Sequence, residues 1–247
     1  MLGLILEMAD EHRSHAEQSR PERELFTSFD EAWDSFLDRR EPLEDFFAQF
    51  PEEDVLLLGW LIRFDQQLIP TVRDVQAAFS HLEWVVPQPD HFLHTWLIGG
   101  ALLRRRPTEK EVASAVQQAE RSWKDASGFD VSYPRINCFP AAVIIEVEGQ
   151  GPRLLAERLV EDDYWENVQI EGAQPLSGAR LETYLPHVTI GNFKGANDPG
   201  VLRKALIPLR ESKLGRQRVH EASLCLMPAS RTTILSRWEV VGSIPLG

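Results

Sequence analysis

Apolar positions along this chain alternate between two spacings, and the alternation predicts its elements. DVLLLGWLIRFD, Asp54–Asp65, is an almost unbroken apolar run of strand length bounded by acids. IPTVRDVQAAFSHLEWV then shifts to helical spacing and predicts a helix from about Thr71 to Leu82, with Pro70 near its start. FLHTWLIGG returns to a strand. A helix follows near Thr108–Lys124, with a Thr N-cap and acids in its first turn. RINCFPAAVIIEVEG predicts two strands broken at Pro140, PRLLAERLVED a helix, and YLPHVTIGNF a further strand. Asp198 caps a helix reaching about Arg210. The stretches QRVHEASLCLMPAS and TTILSRWEVVGSIPL predict a closing antiparallel pair that turns at Pro228–Arg231.

This order repeats itself: strand, helix, histidine strand, helix, strands, twice over. The class is α+β, with a weak internal duplication and one histidine strand in each half. Ahead of it, Phe26, Phe29, Trp33, Phe36 and Leu37 fall at helical spacing, and Leu43, Phe46, Phe47 and Phe50 resume the series after Pro42. Pro42 should divide this segment into two helices. Their aromatic face is expected to pack on the main domain, with docking to a protein partner as the alternative. The boundaries read from the pattern are a largely helical extension over 1–53 and one two-lobed domain over 54–247.

Charge sharpens that division. The 247-residue chain carries a net charge of −12, yet residues 1–53 account for −10 of it, with 15 acids and 5 bases. Between Arg180 and Arg218 there are 8 bases and 3 acids. The acidity thus belongs to the extension, and the neighbourhood of the second histidine strand is locally basic. A core this close to neutrality suits short or small anions better than long duplexes, which need an extended basic surface. No apolar run approaches the roughly 20 residues that span a bilayer, and the N-terminus lacks a secretory pattern. The two cysteines, Cys138 and Cys225, sit in strand contexts without ligand spacing, which points to free thiols, the cytoplasm and no zinc site.

In LPHVTIGNF, Leu185, His187, Thr189 and Gly191 share one face of a strand, with Val188 and Ile190 on the other. An imidazole and a hydroxyl about 7 Å apart along one face suit a phosphoryl group. One moves a proton and the other bonds a non-bridging oxygen. In HFLHTWLIGG the same rule places His94, Trp96 and Ile98 together and turns Thr95 away, while His91 lies at the strand's edge. The equivalent of His187–Thr189 is therefore His94–Trp96. His91 could line the cleft mouth, and Arg104–Arg106 could meet a phosphate backbone or form a solvated loop. His12, His15, His81 and His220 read as surface or structural residues. No acid with suitable spacing joins His91, His94 and His187 into a metal site.

With these residues in place, the chain resembles the two-histidine phosphoesterase superfamily, which contains bacterial 2′-5′ RNA ligases and RNA 2′,3′-cyclic phosphodiesterases. Members carry two His-x-Thr/Ser motifs, one on a central strand of each of two pseudo-symmetric lobes. PHVTIGNF matches the second motif. FLHTWLIGG matches the first in position and flanks, with Trp96 where Thr or Ser is the rule. The resemblance runs from about Val55 to Leu246 and leaves out residues 1–53.

It implies two lobes of βαβ type with antiparallel sheets around a central cleft, and a cofactor- and metal-independent phosphodiesterase. His187 would be the base, His94 the acid, and a 2′,3′-cyclic phosphate would open to a 2′-phosphate, with reversible 2′-5′ RNA ligation as a further or alternative activity. Thr189 would hold the phosphate. Trp96 could replace the missing hydroxyl with its indole N–H, stack a base, or fill the cleft. The partners so implied are RNA ends or small cyclic nucleotides, met by a monomer. The alternative is a non-catalytic nucleotide- or RNA-binding module with a degenerate first motif.

Overall fold

A computed structural model describes residues 25–176 and 180–247. The strands are β1 (Leu56–Arg63), β2 (Val85–Pro87), β3 (His94–Trp96), β4 (Ala101–Leu103), β5 (Phe129–Tyr133), β6 (Ile136–Phe139), β7 (Ala142–Glu146), β8 (Gln174–Pro175), β9 (His187–Phe193), β10 (Gly215–Val219), β11 (Glu221–Pro228) and β12 (Glu239–Pro245). The helices are α1 (Phe29–Asp38), α2 (Ile69–Ala77), α3 (Glu109–Ser122), α4 (Gln150–Glu161), α5 (Tyr164–Asn167) and α6 (Pro199–Leu206). One sheet runs β12-β11-β1-β3-β9-β7-β6, with antiparallel neighbours throughout. The two histidine strands, β3 and β9, are adjacent at its centre.

Alternation along β1 sorts the core into two layers. Leu58, Trp60 and Ile62 belong to the larger cluster, with Val72 and Val75 of α2, Ala115 and Ala119 of α3, and Leu155 of α4. Leu57 and Leu61 point the other way, into a smaller cluster with Trp96, Phe92, Phe46, Phe50 and Cys225. The helices therefore cover one face of the sheet, and the opposite face carries the smaller cluster and the candidate histidines.

The α+β class and the helices expected after residue 54 are present, and Thr108 caps α3 through a reciprocal capping box with Glu111. Three expectations need correction. The first histidine strand is interrupted: β3 and β4 both pair with β1, but Gly99 and Gly100, at φ +76° and +155°, carry the chain out of register between them. The closing pair is also rearranged. QRVHEASLCLMPAS divides near His220 into β10, which pairs with β5, and β11, which pairs with β12. TTILSR is part of a broad connection instead of a strand.

Among the described residues of the N-terminal segment only α1 is a sustained helix, and Leu43–Phe50 contains a single 3₁₀ turn, Phe47–Gln49. Its backbone is held by the sheet edge: Glu44 N–H donates to Pro140 O, Phe46 N–H to Phe193 O, and Leu43 N–H to Asn197 Oδ1. Those long-range bonds replace the intrahelical ones that the periodicity predicted. Residues 1–24 of the expected extension lie outside the described part. Among the described residues no helix is long and apolar enough to cross a membrane.

Candidate active site

The β3–β9 register, Thr95 opposite Val188, decides which side chains meet. Stepping one residue either way sets His94 opposite Thr189 and Trp96 opposite His187. Directly paired residues share a face, so His94, Trp96, His187 and Thr189 form a square on the cleft side. The two histidines occupy its diagonal, with Cβ atoms on the order of 7 Å apart. Thr95 is turned to the helix side, only 2% exposed.

The two imidazoles are held alike. His94 Nδ1 lies 2.7 Å from Phe92 O, and His187 Nδ1 lies 2.7 Å from Leu185 O, each carbonyl two residues upstream. A carbonyl only accepts, so the neutral ring carries its proton on Nδ1 and keeps the Nε2 lone pair free. Burial pushes the pKa of each histidine down to about 4, and the carbonyl contact offsets this only in part. For His187 the nearby His94 lowers it further. Both rings are thus neutral at pH 7.

Aromatic side chains cause that desolvation. His94 lies 5.7 Å from the Phe92 ring, 5.9 Å from Trp96 and 6.0 Å from Trp238. Trp238, on the β11–β12 connection, has its indole N–H bonded to His91 O, which fixes the ring beside His94. On the other side Phe139 meets His187 in a T-shaped contact at 4.8 Å. Neither Trp238 nor Phe139 is distinguished by the spacing of the two motifs. Only the pairing of distant strands brings them here.

Thr189 is half-buried on the cleft face. Of the three uses open to Trp96, the structure bears on the first, because the indole N–H already has a partner within the protein. Its indole N–H donates to Gly99 O at 2.7 Å, the residue is 7% exposed, and its ring lies so close over Gly59 that a Cβ there would sit 2.0 Å from it. Trp96 fills the floor of the cleft, and only glycine fits beneath it.

A cation that the motifs do not point to lies next door. Arg63, the last residue of β1, pairs with His94 and so shares its face. Its side chain is 58% exposed, with Nη2 3.2 Å from Glu221 Oε1. The end of an apolar strand run was the only signal in the sequence for it. Arg104, Arg105 and Arg106 instead pair with Glu53, Glu111 and Glu171, and Glu239, which fits the solvated-loop reading. His91 is exposed at the cleft's edge. Among the described residues no three His, Cys, Asp or Glu side chains group as metal ligands.

Behind His187 lies a buried ionic cluster. Glu146 pairs with His187 across β7–β9 and is 0% exposed. It accepts from Arg135 Nε at 2.9 Å, Asn137 Nδ2 at 2.8 Å and Arg210 Nη1. A bulge further along β9 sets Gly191 opposite Val143 while Thr189 opposes Ile144, leaving Ile190 extra. The Ile190 carbonyl is satisfied by Gln88 N–H at 3.0 Å and Gln76 Nε2 at 2.9 Å, so the bulge is held from α2.

No protein-family description and no curated protein matches the chain by sequence. Solved structures do match. TT0787 of Thermus thermophilus superposes with a TM-score of 0.53 at 16% identity, over 77% of this chain and 97% of that one. A structure described as a phosphoesterase gives 0.53 at 15%, over 76% and 97%. E. coli LigT complexed with 3′-AMP gives 0.51 at 15%, over 78% and 99%. Identity this low speaks for architecture, and architecture is what the superpositions establish: the chain has a LigT-like fold.

Proposed function

We propose that the protein is a metal-independent phosphodiesterase that opens 2′,3′-cyclic phosphates of nucleotides or RNA ends, with water as the nucleophile or, in a reversible transfer that forms a 2′-5′ linkage, with the 5′-hydroxyl of a second RNA end. The observation that carries this reading is the matched pair of imidazoles on adjacent central strands. Each is tied through Nδ1 to the carbonyl two residues before it, and each keeps Nε2 for the cleft. A LigT structure with 3′-AMP shows that the same fold accepts a nucleotide.

In the proposed reaction His187 Nε2 takes a proton from water as the water oxygen bonds to phosphorus. The bond from phosphorus to ribose O3′ breaks, and His94, as imidazolium, gives its proton to O3′. The product is a 2′-phosphate. One histidine must therefore be protonated although burial holds both low. The substrate's own negative charge favours the imidazolium beside it and supplies that shift. Thr189 donates to a non-bridging oxygen, and Arg63, opposite His94, supplies the cation that Trp96 cannot.

The commitment of the Trp96 donor also favours a second reading, a nucleotide-binding module without turnover. One experiment separates the two. The full-length protein, in the presence of chelator, is incubated with 2′,3′-cyclic nucleotides and 2′-5′ linked dinucleotides, alongside His94→Ala and His187→Ala. Turnover that falls about 10²–10⁴-fold in each variant supports the phosphodiesterase. Binding without turnover in the wild type supports the module and refutes the enzyme.

A further inference from the structure

Residues 25–50 are packed against the β6 edge of the sheet, beside the elements that hold His187. Asn137 Nδ2 donates to Phe29 O at 2.7 Å, and Asp30 Oδ1 accepts from Arg135 Nη1 at 3.1 Å and Arg210 Nη2 at 3.4 Å. These are the same groups that hold Glu146, the cross-strand neighbour of His187. Arg210 also lies 4.7 Å over the Trp33 ring, and Arg203 donates to Phe36 O at 3.2 Å. Phe29, Asp30, Trp33 and Phe36 are thus fastened to the elements around His187.

The fastening fixes where the aromatic residues point. Phe139 shares the cleft face with His187 through the β6–β7–β9 register, and its ring meets the imidazole. Phe29 stacks on Phe139 at 6.3 Å and 15°, and Phe26 lies against it at 6.2 Å and 30°. All three rings are only half-buried. The neighbours LigT and TT0787 are covered almost completely by 77–78% of this chain, so roughly a quarter of it is additional to that fold.

We propose that Phe26, Phe29 and Phe139 form a stacking shelf for the nucleobase of the substrate, so that the N-terminal segment is a specificity element of the cleft. The inference rests on the phosphodiesterase reading for the position of the phosphate. A phosphate between the two Nε2 atoms leaves its nucleoside within reach of the rings beside His187. Any base has a π-face that such a shelf accepts, so stacking selects for a base without choosing among bases. The same segment exposes Glu31, Asp34, Asp38 and Glu41, an acidic rim that repels a long polyanion and tolerates a single phosphate. The substrate class that fits is a mononucleotide or a very short RNA end.

The test compares adenosine 2′,3′-cyclic phosphate with the base-free methyl riboside 2,3-cyclic phosphate in the full-length protein. The wild type should prefer the adenosine substrate in kcat/KM. The double variant Phe26→Leu/Phe29→Leu keeps apolar volume and removes two π-faces. It should reduce that preference on the order of tenfold, the scale of one stacked base. An equal loss on both substrates, or no loss on either, overturns the shelf. Phe26→Leu alone, just before α1 begins, serves if the double variant does not fold. If the wild type turns over neither substrate, the catalytic reading fails and the shelf is judged by calorimetry. Adenosine 2′-monophosphate binding more tightly than methyl riboside 2-phosphate, with the difference reduced in the variant, supports the shelf; equal affinities refute it.

Discussion

The two half-buried histidines make the protein's stability sensitive to mild acid, and the size of the effect follows from their environment. Each has its pKa lowered from 6.5 to about 4, with burial the largest cause. The unfolded chain therefore binds protons between these values while the folded chain does not. The stabilisation is complete above about pH 6.5 and is lost as pH falls towards 4. For one such group the linkage relation gives a loss of about 2 kcal/mol between pH 7 and pH 5, and about 4 kcal/mol for the pair. That is a large share of the roughly 5–15 kcal/mol that holds a typical domain folded.

The perturbation is His94→Gln/His187→Gln, which keeps a side-chain N–H able to reach the same carbonyls and removes the titration. Urea unfolding at pH 7 and pH 5 measures both proteins, with stability extrapolated to zero urea. The wild type should lose about 4 kcal/mol more than the variant over this interval, and each single variant about half of that difference. Carboxylates titrate mainly below pH 5, and the subtraction removes what remains of them. Equal losses in wild type and double variant would refute the reasoning. They would mean that neither imidazole is desolvated, and the neutral Nδ1–H form assigned to both rings would fall with that.

Two further outcomes follow from the groups around the square. Glu146→Gln leaves Asp30 as the acidic partner of Arg210 and Arg135, and should cost about 1–3 kcal/mol by urea unfolding; no measurable cost would show the cluster to be hydrated. Arg63→Gln removes the cation opposite His94 and should raise KM for a cyclic phosphate about tenfold, with a smaller change in kcat, since a charge-assisted bond contributes about 1.5–3 kcal/mol; steady-state kinetics showing an unchanged KM would exclude Arg63 from the phosphate.

What the sequence disclosed and what it withheld divide along a physical line. The face rule, applied to nine residues at a time, was enough to separate His94 from His91 and to turn Thr95 away, because strand alternation is a local property of the backbone. It was enough, too, for the order of elements and the α+β class, since helical and strand spacing are read over a dozen residues. The second N-terminal helix failed for the complementary reason. Leu43–Phe50 has the spacing of a helix, but its donors are taken by Pro140, Phe193 and Asn197, partners about a hundred residues or more away in the chain. Arg63, Phe139 and Trp238 escaped notice in the same way, being neighbours of the histidines only through strand pairing or a distant connection. Trp96 lies between these cases. Its position opposite His187 follows from alternation and register together, yet the direction of its N–H depends on Gly99 adopting a positive φ, and the use of its ring depends on Gly59 having no side chain. The residue that breaks the first motif is thus accommodated by two glycines, one on its own strand connection and one on β1. That pairing accounts for an indole in a place where the resemblance calls for a hydroxyl: the side chain there is a floor instead of a donor, and under the proposed reaction the second polar partner of the phosphate is Arg63, on the neighbouring strand.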